Sequence, residues 1–127
     1  MSENICNIPV SIGELFDKYT ILQIKQQRIS DLNKHNMVQT ELAYLKPFID
    51  KYNLDISLIE ELKTINETLW NIEDKLRDKE KHNAFDEEFI QLARSVYITN
   101  DKRSETKNKI NFKLNSTLTD IKSYVKY

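Results

Sequence analysis

The chain of 127 residues contains one glycine, two prolines and one cysteine. So few backbone breakers leave long stretches free to run as helix. With Cys6 alone no intrachain disulfide can form, and a reducing cytoplasm is the expected location. Cys6 itself reads as a small passive hydrophobe. No apolar run approaches the length of a membrane span, and no basic-then-apolar start marks a signal peptide, so neither is expected. Charge of one sign is also missing. Nineteen Lys and Arg stand against twenty Asp and Glu, so no bulk field draws the chain to nucleic acid or to a membrane, and neither partner is expected. His35 and His82 lie far apart near helix ends and metal-ligand spacing is absent, so neither a metal nor another cofactor is expected.

What is present is helical periodicity across a single domain, residues 1–127. Residues 1–10 read as an extended lead-in held out of helix by Pro9. Ser11-Ile12-Gly13-Glu14 then forms a capping box, with Val10 and Leu15 placed as its hydrophobic staple. Ile12, Leu15, Tyr19, Leu22, Gln26, Ile29 and Asn33 follow steps of three and four, which predicts a first helix to about residue 34. Asn36 and Gln39 suit a cap for a second helix with an apolar face of Val38, Leu42, Leu45 and Ile49, and Pro47 should break it. Asp55 suits the N-cap of a third. Its seam of Leu58, Leu62, Ile65, Leu69, Ile72 and Leu76 is unbroken and should run about 39 Å, ending near residues 81–83. Asp86 should cap a fourth helix, helped by Glu87 and Glu88, reaching about Asn115. Residues 116–127 form a tail, either a short helix or a docked segment. The expected fold is all-α: an antiparallel bundle of three long helices plus one short, Pro-broken helix.

The informative irregularity lies in the fourth helix. Phe89, Ala93, Val96, Asn100, Arg103, Lys107, Ile110 and Leu114 form one stripe with apolar ends and a polar, cationic middle. Cations on a core-facing stripe are costly unless paired, exposed or bound to something. Arg94, Tyr97 and Asp101 lie one step away. On the third helix a second stripe carries Asn66, Trp70, Glu73, Arg77 and Glu80, with Glu73 and Arg77 spaced as an ion pair. The first helix adds Lys18, Lys25 and Arg28 on the stripe of Glu14.

If the long helices pack together, these patches meet and cations exceed acids. The candidate ligand-binding set is Lys18, Lys25, Trp70, Glu73, Arg77, Arg94, Tyr97, Asn100, Asp101, Arg103 and Lys107. Arg grips a carboxylate or phosphate bidentately, and a lone Trp beside charges makes a groove wall. No nucleophile has a neighbouring His, so no catalytic residue is assigned. The leading reading is a non-catalytic module binding a small anionic ligand or a charged partner group. The alternatives are an enzyme for a carboxylated or phosphorylated metabolite, with Glu73 or Asp101 as acid or base, and a purely structural protein whose charges set helix register. An apolar flank of Leu42, Leu45, Phe48 and Ile59 predicts a homo-oligomer, a dimer first of all.

Three sequence blocks carry a resemblance. They are Ile8-Pro9-Val10-Ser11-Ile12-Gly13-Glu14-Leu15 with Asp17-Lys18, Asn66-Glu67 with Leu69-Trp70 and Ile72-Glu73-Asp74, and Leu92-Ala93-Arg94-Ser95-Val96-Tyr97 with Thr99-Asn100-Asp101. Together they resemble a small, functionally uncharacterised all-helical family of bacteria and their phages. The likeness covers most of the chain outside about 36–60. It implies no activity, only a context near surface-polysaccharide and glycosyltransferase genes. A looser likeness of organisation, without shared motif, is to the all-helical chorismate mutases, which hold a dicarboxylate among Arg and Lys side chains.

Overall fold

In a computed structural model that describes residues 3–126, four capping residues start four helices: α1 (Ile12–Arg28), α2 (Leu32–Ile49), α3 (Ile56–Lys81) and α4 (Glu87–Lys113). No strand occurs among the described residues, and the fold is all-α. Met1, Ser2 and Tyr127 lie outside that range, so the expected lead-in and tail are seen without their ends. Ser11 Oγ accepts from the Glu14 amide at 3.0 Å, Asp31 from Lys34 at 3.0 Å, and Asp86 from Phe89 at 3.0 Å. Asp55 holds the N-cap position of α3 without a side-chain cap bond, because its carboxylate pairs with Lys113.

Three boundaries differ from the sequence reading. Asp31 caps α2, so α1 stops at Arg28 instead of running to 34, and Asn36 lies inside a helix. The expected short, broken helix is an unbroken one of 18 residues, against 17 in α1. Pro47 is the third residue from its end, where it removes one backbone donor and leaves too little chain beyond to form a second segment. Two helices, α3 with 26 residues and α4 with 27, are therefore long, and two are of middle length. Of the two forms open to the tail, residues 116–126 take the docked one, without helix.

Contacts define how the helices run. Lys79 meets Asp86, Glu61 meets Lys109 and Asp55 meets Lys113, so α3 and α4 are antiparallel. Gly13 meets Asn111 and Asp17 meets Arg103, so α1 also opposes α4 and runs parallel to α3. The backbone of helix α2 approaches that of α1 alone, while its last turns reach the shared core through Leu45 and Ile49. The result is a three-helix core of α1, α3 and α4 with α2 on its flank.

The apolar core occupies the end of the bundle where α1 and α3 begin and α2 and α4 finish. Phe16, Ile49, Leu62 and Ile110 are buried there, and Leu15, Leu45, Leu58, Ile59 and Leu114 pack around them. Leu45 and Ile59, expected on an uncovered flank, are thus used within the chain, whereas Phe48 stays exposed. On α3 only Leu62 and Ile72 of the seam are buried; Leu58, Ile65, Leu69 and Leu76 are half-buried.

The largest departure is on α1. Its most buried residues are Gly13, Phe16, Asp17, Thr20, Leu22 and Ile24, of which only Leu22 belongs to the series read from the sequence; Ile12, Leu15 and Tyr19 of that series are partly buried beside them. The inward face is turned by one residue, about 100°. Its physical basis is polar: Asp17, Thr20 and the lone glycine are stabilised inside by partners on α3 and α4.

Candidate ligand-binding groove

Asp17 is the centre of this polar layer. Its carboxylate accepts from Arg103 Nε at 2.9 Å and from Arg103 Nη2, a two-pronged pair, and from Asn66 Nδ2 at 3.0 Å. Asn66 Nδ2 also lies 3.0 Å from Thr20 Oγ1, and that hydroxyl donates to the Asp17 carbonyl at 2.9 Å. No buried side-chain polar atom among the described residues lacks a partner. The Arg103 guanidinium is held above its ordinary pKa, first by its hydrogen bonds to Asp17 and further by the nearby charges of Glu14 and Asp120, with burial opposing.

The next turns of α4 continue the layer. Lys107, buried, donates to Glu14 at 2.6 Å and lies 3.5 Å from Asp120. Asn111 Oδ1 accepts the Gly13 amide at 2.6 Å, and Ser116 Oγ accepts the Ile12 amide at 3.0 Å. The amides at the start of α1 are thereby satisfied by side chains, and Glu14 answers Lys107 instead of closing its capping box.

Above the layer opens a groove of about 470 Å³ between α1, α3 and α4. Ile21, Ile24, Leu69 and Val96 give it apolar surface, and Trp70, Glu73, Asp74, Arg77, Asn66, Asn100 and Arg103 give it polar edges. Arg103 spends one edge on Asp17, and its Nη1 stands 3.5 Å from Asn100 Oδ1, so that edge is only weakly engaged within the chain. Arg28 brings a further cation 5.9 Å from the Trp70 ring centre while donating to Asn71 at 2.6 Å.

Five of the eleven sequence candidates therefore share one groove: Trp70, Glu73, Arg77, Asn100 and Arg103. Tyr97 and Asp101, with Asn100, line an adjoining cavity. Lys107 is buried one turn below, Lys18 pairs with Glu41 of α2 at 3.0 Å, and Lys25 and Arg94 line neither space. The expected excess of cations is not found in the groove. Arg77 and Arg103 face Glu73 and Asp74 there, because helical steps carry Lys107 past the opening. Glu73 sits 3.7 Å from Arg77 in the exposed pair that their spacing predicts, so neither Glu73 nor the other candidate acid for Arg103, Asp101, forms its two-pronged pair. Asp17 does.

Sequence reasoning missed Asp17, Ser104 and Asp120. A signal for Asp17 existed: Gly13, Asp17, Thr20 and Ile24 keep steps of four and three, a seam invisible to hydrophobicity alone. Among the described residues no cluster of three or more His, Cys, Asp or Glu is placed to hold a metal, and no helix is long and apolar enough to cross a membrane.

Residues 6–126 match the family described as "Family of unknown function (DUF6165)". The chain belongs to that family. Neither a curated protein nor a solved structure shows significant similarity to it.

Proposed function

We propose that the protein is a non-catalytic helical module that binds a small ligand through the groove, with Arg103 meeting an anionic group and Trp70 forming a wall. The observation that carries this reading is the posture of Arg103. Asp17 fixes one edge of its guanidinium, and the less engaged edge lies at a groove of ligand size. A guanidinium so oriented loses little freedom on binding a carboxylate or phosphate. The apolar surface and the balancing carboxylates favour a ligand with an uncharged body over a bare anion.

A second reading, an enzyme for a carboxylated or phosphorylated metabolite, is favoured by one feature: Glu73, a proton-transfer group, lines the same groove. The proposed setting is the cytoplasm, on the ground of the lone cysteine, of a bacterium or of a phage-infected cell, on the ground of the resemblance. A homodimer belongs to the proposal too, supported by the exposed Met37, Phe48 and Phe112.

Thermal melts test the binding reading. Inorganic phosphate or citrate, added at constant ionic strength, should raise Tm by mass action, and Arg103→Met should lose that rise. A wild-type Tm indifferent to both anions, and to phosphorylated sugars, would leave the polar layer a structural device. Turnover of such compounds would favour the enzyme instead.

A further inference from the structure

The tail touches α4 in an uneven way. Ser116 and Asp120 are its only half-buried residues between 116 and 126; all others are exposed. Ser116 is tied through its amide to the Asn111 carbonyl at 2.8 Å and through its hydroxyl to Ile12. Asp120 gathers the rest. Its carboxylate accepts from Ser104 Oγ and faces Lys107 at 3.5 Å, while its amide and carbonyl form a two-bond ring with the Asn108 side chain, both at 2.9 Å. Beyond Asp120, Lys122, Tyr124 and Val125 close a cavity of about 580 Å³ against Val96, Tyr97, Asn100 and Asp101 of α4. Val96 and Asn100 line that cavity and the groove alike, so the two spaces adjoin across one helix.

We infer that residues 116–126 are a strap, hinged at Ser116 and latched at Asp120, which covers the second compartment of the ligand site and supplies Lys122 to an anionic ligand there. The part concerning the ligand rests on the binding reading above; the latch does not. Segments held at few points, with exposed flanks, open locally far more readily than the core. The four contacts at Asp120 hold this one shut. The Lys122 ammonium donates to Tyr124 Oη at 3.1 Å and lies 5.3 Å from its ring centre, so cation and aromatic ring move together with the strap.

The latch is tested with Asp101→Cys, at a position that lines the strap-covered cavity but not the groove, in a Cys6→Ser background, by maleimide labelling of the full chain. Asp120→Ala should speed labelling at least about tenfold, with helical circular dichroism and Trp70 emission unchanged. Should Asp120→Ala perturb the fold, Asn108→Ala serves the same test, since it removes both backbone bonds to Asp120. Equal labelling rates with and without the latch would overturn the strap. The ligand part is read from Tm. Phosphate should stabilise the full chain more than Lys122→Met. Equal stabilisation would overturn the role of Lys122 while leaving the groove reading intact. Absence of wild-type stabilisation by phosphate, citrate and phosphorylated sugars alike would overturn the groove reading and the ligand part with it, and the labelling result would still decide the latch.

Discussion

Asp17 of α1 and Arg103 of α4 form a two-pronged ion pair in which the carboxylate is 1% exposed and the guanidinium remains partly open. The asymmetry matters. The buried acid is compensated by Arg103 and Asn66, while the arginine also lines the groove, with Nη1 3.5 Å from Asn100 Oδ1. The same contact thus fixes the register of α1 on α4 and holds Arg103 at the groove lining.

Breaking this pair from one side should be costly. Asp17→Leu or Arg103→Met alone should destabilise by about 3–5 kcal/mol, because each leaves a buried group without its partner. The double change should recover part of that loss, as no unpaired charge then remains beside Asn66 and Thr20. Urea melts of the four proteins form the cycle that measures it. Additive losses would show that the pair is not coupled as its geometry implies.

Gly13 should tolerate no side chain. A Cβ there would overlap the Lys107 carbonyl and lie 2.9 Å from Asn111 Oδ1, so α1 would have to move off α4. Gly13→Ala normally stabilises a helix by up to about 1 kcal/mol. Here the expected outcome is a net loss of roughly 1–3 kcal/mol, through overpacking against backbone. A raised Tm would refute the close approach.

Core contributions should differ along the α3 seam. Leu62 is fully buried, so Leu62→Ala should cost about 2–5 kcal/mol. Leu69, at the groove wall and half-buried, should cost clearly less on truncation. Chemical denaturation orders the two, and the reverse order would misplace the core.

The latch has a pH dependence with a definite sign. Burial pushes the Asp120 carboxyl upward, but the Ser104 hydroxyl and the charges of Lys107 and Lys122 more than offset this, leaving it below its ordinary 3.8. A carboxyl depressed in the folded state stabilises above its unfolded pKa and loses that contribution as pH falls through the folded value. The strap should therefore stay latched at neutral pH and loosen only in acid, below the usual carboxylate range. Hydrogen exchange of residues 117–126, corrected for intrinsic rates, should show protection falling there and not between pH 6 and 8.

The amino-acid sequence by itself determined the helical class, the caps Ser11 and Asp86, the end of α3 and the faces carrying Leu62, Ile72, Val38 and Ile49, because capping and periodicity are local and act through near neighbours in the chain. Trp70, Glu73, Arg77, Asn100 and Arg103 were legible as a set for the same reason: each breaks or borders an otherwise apolar helical stripe. Only the tertiary structure decided which way α1 faces, which acid answers Arg103, and where the tail docks. Those outcomes depend on Asp17, Thr20, Asn66 and Arg103 satisfying one another across three helices, and on Gly13 letting two backbones meet. Burial of a polar residue is favourable only when its partners arrive, and here they arrive from positions 46 to 98 residues away.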